Sequence, residues 1–191
     1  MARAGVNAER LTRAAAELAD EIGFDNVTVT ALARRFGVRE ASLYSHVRNM
    51  RDLRVKVALF ALAELADAAG AALAGRSGRD ALVAFADAYR DYARKHPGRY
   101  AASRYSLDPE TAAASAAVRH VEMNRAILRG YRIPEADHID AIRLLGSTFH
   151  GFVSLEAAEA FKHSSGVRGT DASWSRILDV LHAALTDWPP A

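Results

Sequence analysis

Apolar side chains recur at i, i+3, i+4 and i+7 along almost the whole chain, while strict alternation of apolar with polar residues is confined to Val27-Thr28-Val29-Thr30. The first period is that of an amphipathic helix and the second that of a half-buried strand. One four-residue alternation cannot make a sheet, and Thr28 is better used as the N-cap of a helix that follows it. The pattern therefore predicts an all-α protein. Glycine, proline and polar clusters divide it into helices. The first is expected at about 7–22, with Leu11, Ala15, Leu18, Ala19 and Ile22 on one face and a stop at Gly23. Others are expected at 29–36, ending at Gly37, at 40–46, and at 51–73, closing at Gly75-Arg76-Ser77-Gly78. Further helices follow at 79–95, 98–105, 109–129, 135–162 and 172–187, with a loop composition at His163-Ser164-Ser165-Gly166-Val167-Arg168-Gly169-Thr170.

Residues 28–46 then read as helix, a three-residue connection Gly37-Val38-Arg39, and helix, which is the spacing of a helix-turn-helix. A glycine inside a helix costs about 1 kcal/mol relative to alanine. Its place in Phe36-Gly37-Val38 argues for a bend that needs a positive φ. Val38 is expected to point inward with Leu32, Ala33, Phe36, Leu43 and Val47. The second helix would then turn Arg39, Glu40, Ser42, Tyr44, Ser45 and His46 outward. In a major groove it would offer hydrogen bonds to base edges, with Tyr44, His46, Thr28 and Thr30 reaching phosphates on either side. A helical hairpin whose polar residues merely face water fits the same spacing, and both readings stay open at this point.

Composition narrows the classes. At 191 residues, half hydrophobic and a quarter charged, the chain has the make-up of an ordinary globular protein of one large or two small domains. No apolar run approaches the roughly 20 residues that span a bilayer. The start Met1-Ala2-Arg3-Ala4-Gly5 lacks the apolar core of a secretory signal, so a cytoplasmic location is expected. There is no cysteine, hence no disulfide framework and no thiolate nucleophile. Net charge is +2, and residues 1–60 carry ten Arg or Lys against seven acids. That excess suits a polyanionic partner for the first third, although a solvated surface explains it equally. No Ser-His-acid context and no phosphate loop appears, so an enzyme is not expected. The seven histidines (46, 96, 120, 138, 150, 163 and 182) include no i,i+4 pair, and neither a metal nor a cofactor is expected.

Taken together, Gly23-Phe24, Val27-Thr28-Val29, Ala31-Leu32-Ala33-Arg34-Arg35-Phe36-Gly37-Val38, Ala41-Ser42-Leu43-Tyr44-Ser45-His46-Val47 and Asp52-Leu53 resemble, in order and spacing, the N-terminal domain of TetR-family (tetracycline-repressor-like) transcriptional regulators. The resemblance covers residues 8 to about 57. It implies a three-helix DNA-binding domain at 1–52 and a helical ligand-binding and dimerisation domain at 53–191, connected by a long fourth helix. It also implies a double-stranded DNA operator as partner, contacted by Thr28, Thr30, Arg39, Glu40, Ala41, Ser42, Tyr44, Ser45, His46, Arg48 and Arg51. Two positions depart from the family: Val47 stands where many members have Phe, and Met50 where many have Lys. Arg48 or Arg51 is expected to supply the phosphate contact that Met50 cannot make.

Farther along, Phe149-His150-Gly151-Phe152-Val153-Ser154-Leu155-Glu156 resembles the His-Gly helix of the subgroup named for a Trp-His-Gly motif, with Gly146 or its neighbours where the Trp is usual. His150 is read either as a polar ligand contact or as a hydrogen-bonded core or interface histidine, and Gly151 as a point of close helix approach. Some of Tyr89, Tyr92, Tyr105, Met123, Phe149 and His150 are expected to line a cavity for a small apolar or aromatic ligand. The last two helices are expected to form a homodimer through Ile139, Ile142, Leu145, Phe149, Phe152, Val153 and Ala157, and through Trp174, Ile177, Leu178, Leu181, Leu185 and Trp188. The function implied is a ligand-responsive repressor that binds a pseudo-palindrome as a dimer. The alternative is a helical protein-binding adaptor without DNA specificity.

Overall fold

The structure, a computed structural model, describes residues 7–162 and 169–189. The Met1–Gly5 start and residues 163–168 of the expected loop lie outside the described residues. Helices account for the regular structure: α1 (Ala8–Ile22), α2 (Val29–Phe36), α3 (Glu40–Leu43), α4 (Met50–Leu73), α5 (Gly78–Lys95), α6 (Pro97–Ser103), α7 (Pro109–Ala113), α8 (Ala117–Gly130), α9 (His138–Ala157) and α10 (Thr170–Thr186). Four of them, α1, α2, α4 and α7, start at side-chain caps that satisfy otherwise orphaned amides. The Asn7 side chain accepts from Arg10 N–H at 2.7 Å, Thr28 from Ala31 N–H at 3.1 Å, Asn49 from Asp52 N–H at 2.9 Å and Asp108 from Thr111 N–H at 2.9 Å.

Three of the expected spans are shorter or divided. The helix expected over 109–129 is split into α7 and α8, because the Ser115 hydroxyl donates to Ala112 C=O at 2.8 Å and accepts from Ala117 N–H at 3.1 Å, closing one helix and capping the next. The helix expected over 40–46 is regular only to Leu43 and finishes as a turn, and that expected over 135–162 runs from His138 to Ala157.

The chain divides into two compact units. The first takes in the chain up to Glu64 together with Lys95–Ala117. Its core is built from Leu11, Ala15 and Leu18 of α1, Phe24, Leu32 of α2, Leu43 of α3, Val47, and Leu53, Val57 and Ala61 of α4. Ala102 of α6 completes it, and Tyr105 sets its ring edge-on to Phe24 at 5.8 Å between centroids. The return of residues 95–117 was not expected from a boundary at residue 52. It rests on Gly98, where an added Cβ would lie 2.0 Å from the backbone of Ala19, so α6 lies directly on α1. Asp20 secures the same contact, accepting from Arg99 N–H at 2.8 Å and pairing with Arg99 Nε at 3.0 Å.

The second unit comprises Leu65–Arg94 and the chain from Val118 onward. Phe85 and Leu82 of α5, Leu128 of α8, Leu145, Phe149 and Phe152 of α9, and Trp174, Leu178, Leu181 and Leu185 of α10 make its core. This corrects the expected dimer surface. Leu145, Phe149, Phe152, Val153, Trp174, Leu178, Leu181 and Leu185 are buried within the single chain. The large apolar residues that α9 and α10 leave exposed are Ile139, Leu144, Leu155 and Val180. Both helices carry apolar residues on more than one face, and the hydrophobic period alone does not say which face the chain keeps for itself.

The same unit holds an ion cluster invisible to motif reading. Arg90, 5% exposed, makes two parallel bonds to Glu156, Nε to Oε2 at 3.0 Å and Nη2 to Oε1 at 2.6 Å. Arg94 grips the same carboxylate at 3.0 and 3.2 Å and bridges to Asp171 at 2.9 Å, so α5, α9 and α10 are tied at one point. The Arg90 guanidinium also lies 5.2 Å from the ring centres of both Phe152 and Trp174. Hydrogen bonds from Arg90 outweigh the cost of burial and hold the Glu156 carboxyl at about 2.

Candidate nucleic-acid interface

The turn between α2 and α3 is a Schellman closure. Gly37 sits at φ 63°, ψ 37°, its N–H donates to Arg34 C=O at 3.1 Å, and Val38 N–H donates back to Ala33 C=O at 3.0 Å. Only glycine takes this left-handed geometry without a Cβ penalty. Val38 comes to rest against the core of the first unit, as expected. The chain then leaves α2 at an angle and starts α3 from Arg39 in extended conformation.

Two residues pin α3 to the core, Leu43 at 1% and Val47 at 2% exposure, and everything between Arg39 and Ser45 except Leu43 is exposed. Tyr44 is 51% exposed, and His46 is half-buried at the end of the turn. Ser42 Oγ donates to Arg39 C=O at 2.6 Å and Ser45 Oγ donates to Ser42 C=O at 2.8 Å, so both hydroxyl oxygens keep lone pairs for an incoming donor. At the other end of the motif, Thr28 Oγ1 caps α2 and Thr30, the second residue of that helix, is exposed. The outward surface of α3 is thus polar, short and rigidly seated, with arginines at its entry and exit.

At the start of α4, Arg48 and Arg51 are both exposed. Arg48 donates to Asp52 through its backbone N–H at 2.9 Å and through Nη2 at 3.3 Å, while Lys56 reaches the same carboxylate. Burial pushes the Asp52 carboxyl up, but the bonds from Lys56 and Arg48 prevail and hold it below the usual range. The Arg48 side chain is 87% exposed, and an ion pair that open is worth at most about 1 kcal/mol. Exchanging Asp52 for a phosphate therefore costs Arg48 little. Met50 packs partly against the core and offers no charge.

In the second unit the six candidate ligand residues separate. Tyr92 and Phe149 are buried, Phe149 in the core cluster. Tyr89 is half-buried beside Phe85, with its hydroxyl against Nδ1 of His120. His150 is half-buried on α9, its Nδ1 3.4 Å from Ser154 Oγ. A Cβ at Gly151 would meet nothing within 4 Å, so no helix among the described residues packs closely there. Tyr105 belongs to the first unit's core and not to this set, because residues 95–117 fold back onto α1 and Phe24. Met123 lines a groove of about 670 Å³ between α4 and α8, with Gly70, Arg119, Glu122, Arg125, Ala126 and Arg129. Sequence reading missed the arginines of that groove and the Arg90 cluster. A signal for the latter was present: Arg90 falls at the helical spacing of buried Ala86 and Ala93, where a charge requires a partner.

Comparison with known proteins finds matches in both parts of the chain. Residues 11–57 match the family model of bacterial regulatory proteins, tetR family, and residues 82–181 match the tetracyclin repressor-like C-terminal domain. The chain is 33% identical over 166 residues to an uncharacterized HTH-type transcriptional regulator, YobS, of Bacillus subtilis, covering 86% of each chain. It is 37% identical over 158 residues to another such regulator of Mycobacterium tuberculosis, covering 80% of this chain and 71% of that one. The fold is shared with BioQ solved with its double-stranded DNA operator, at a TM-score of 0.64 and 22% identity over 94% of this chain and 99% of that one. Among the described residues no helix is long and apolar enough to cross a membrane. The chain belongs to the TetR family of bacterial regulatory proteins: it is a DNA-binding transcriptional regulator and not an enzyme.

Proposed function

We propose that this regulator is a ligand-responsive repressor acting in the cytoplasm, in which residues 1–52 read the operator and residues 53–191 sense a ligand and dimerise. The observation that carries the DNA-reading half is α3, exposed from Arg39 to Ser45 and anchored only by Leu43 and Val47. Laid in a major groove, it brings Ser42, Ser45 and Glu40 to base edges as acceptors, with Ala41 for an apolar contact. Arg39, Tyr44, His46, Thr28, Thr30, Arg48 and Arg51 lie at the flanks for phosphates. BioQ, with the same fold, was solved with its operator. A gel shift on the DNA upstream of the coding region tests the reading: binding at low salt that Tyr44→Ala weakens supports it, and no shift favours the adaptor.

Replacing Arg48 or Arg51 with Ala is expected to lower operator affinity and to reduce the slope of log affinity against log salt by about 1 for each phosphate no longer neutralised. Titrations at several salt concentrations measure it. A residue whose Ala variant keeps the wild-type slope neutralises no phosphate.

The dimer is assigned to the outward faces of α9 and α10, where Ile139, Leu144, Leu155 and Val180 are exposed beside Gly151. A two-fold dimer spaces its recognition helices by about 34–36 Å, one turn of the duplex. Val180→Asp is expected to shift the sedimenting species from dimer to monomer while leaving the helical circular dichroism unchanged; a Val180→Asp protein that stays dimeric removes this face from the interface. Release follows from population shift: a ligand that prefers a conformer with misplaced recognition helices weakens DNA binding, and DNA weakens ligand binding by the same factor. Coupling of about 1–3 kcal/mol gives roughly 5- to 150-fold relief.

A further inference from the structure

The groove between the second part of α4 and α8 is built in a way that folding does not require. Its wall on α4 is Gly70, set in the run Ala68-Ala69-Gly70-Ala71-Ala72. A Cβ there would meet Arg119 Nη2 and Met123 Sδ at 3.9 Å, ordinary van der Waals contact, so alanine would fit. A glycine in mid-helix nevertheless gives up about 1 kcal/mol relative to alanine. What its missing methyl does is keep the groove open.

The opposite wall carries a smaller cost of its own. Helix α8 fully buries only Ile127 and Leu128, so its first ten residues ride over the groove without closing it. Arg125 and Arg129 stand one turn apart on α8, both exposed and both without an ion-pair partner among the described residues. Like charges at that spacing repel by a few tenths of a kcal/mol in an isolated helix. Arg119 is already engaged by Asp67 at 2.8 Å, and Glu122 is the one carboxylate in the lining. Met123 and Ala126 are the apolar residues that α8 adds to the same lining. Two exposed cations without ion-pair partners among the described residues, lining one groove with the apolar Gly70, Met123 and Ala126, describe a complement, and the volume of about 670 Å³ is that of a small-molecule site.

We propose that this groove binds a small amphiphilic organic anion, whose carboxylate or sulfonate pairs with Arg125 and Arg129 and whose apolar part lies over Gly70, Met123 and Ala126. A guanidinium fork takes a carboxylate through two parallel bonds, which sets the anion's orientation as well as its affinity. The ligand class differs from the small apolar or aromatic one expected of the cavity residues Tyr89, Tyr92, Phe149 and His150. Binding itself stands alone; only its effect on the operator rests on the proposed ligand-responsive function.

Calorimetric titration of the full chain, without DNA, with decanoate, with naphthalene-2-sulfonate and with neutral decanol tests the site. Saturable binding of at least one anion is expected, about tenfold or more tighter than decanol. The double variant Arg125→Gln, Arg129→Gln should weaken that anion by about tenfold or more, and Arg125→Lys, Arg129→Lys should restore part of it. Gly70→Leu should abolish binding while the melting temperature stays level or rises, a combination that a purely structural role for Gly70 would not give. Decanol binding as tightly as the anions, a Gln double variant with wild-type affinity, or no heat from either anion at millimolar concentration overturns the proposal. Gel shifts with the bound anion then report separately: an anion that binds without moving the operator leaves the site standing and removes the release mechanism.

Discussion

Gly98→Ala is expected to destabilise the protein more than any other single methyl addition. The new Cβ would stand 2.0 Å from the carbonyl carbon and oxygen of Ala19 and 2.5 Å from Asp20 N, all backbone atoms that cannot swing aside. Helix α6 must then lift from α1, which opens the packing of Ala102 and Tyr105 and lengthens the bonds from Arg99 to Asp20. Overpacking of this kind costs up to about 3 kcal/mol when side chains adjust, and about 4 is expected where only backbone can. In a chain of this size that is roughly a 10 °C fall in melting temperature, followed by far-ultraviolet circular dichroism. Gly70→Ala is the matched control, since it meets only ordinary contacts and should hold or raise the melting temperature. A Gly98→Ala protein as stable as wild type would mean that α6 does not lie on α1 at this distance.

Glu156→Gln is expected to cost about 3 kcal/mol or more. The substitution removes the charge from the shared partner of Arg90 and Arg94 and leaves the Arg90 guanidinium, 5% exposed, with Asp171 at 2.8 Å as its one remaining carboxylate. The same residue sets a pH dependence. Its carboxyl titrates at about 2 in the folded chain against an ordinary value of 4.5. A depressed carboxyl contributes stability that is complete above the unfolded value and is lost as pH falls through the folded one. The contribution is therefore whole above pH 5 and disappears between about 4.5 and 2. Urea denaturation at a series of pH values should show the wild-type stability falling across that window and the Glu156→Gln protein changing less. Parallel curves would show that Glu156 is not held by the arginines. Replacing both partners, Arg90→Leu with Glu156→Leu, should recover much of the loss, because Phe152 and Trp174 can pack on an apolar side chain where they now face the guanidinium.

The elements that a local rule dictates were legible before the structure. Thr28 caps α2 because a threonine ahead of an apolar period satisfies an orphan amide, and Gly37 turns the chain because no other residue takes φ 63° without strain. Those two residues, with Leu43 and Val47 pointing one way and Tyr44 and Ser45 the other, define the exposed polar face of α3, and all of it follows from spacing of three and four. What could not be read depends on pairings across long stretches of chain. Gly98 resembles any residue after a proline until Ala19 is found 2.0 Å from where its side chain would be. Tyr105 follows Tyr89 and Tyr92 closely in sequence and so suggests a shared site, yet its ring goes to Phe24. On α9, Phe149 and Ile139 both fit an apolar stripe, but one is in the core and the other 58% exposed. Periodicity assigns residues to faces, and only packing decides which face is turned inward.

The first unit is discontinuous in the chain, and this bears on how it is made. Its helix-turn-helix leaves the ribosome early, but Ala102 and Tyr105, which cover α1 and Phe24, come roughly 40 residues after the unit's first stretch ends at Glu64. At bacterial elongation rates that gap is about 2–8 s, during which an apolar patch on the nascent motif has no cover from its own chain. The DNA-reading half of this protein therefore matures late, and chaperone engagement or aggregation during synthesis would be concentrated in that interval.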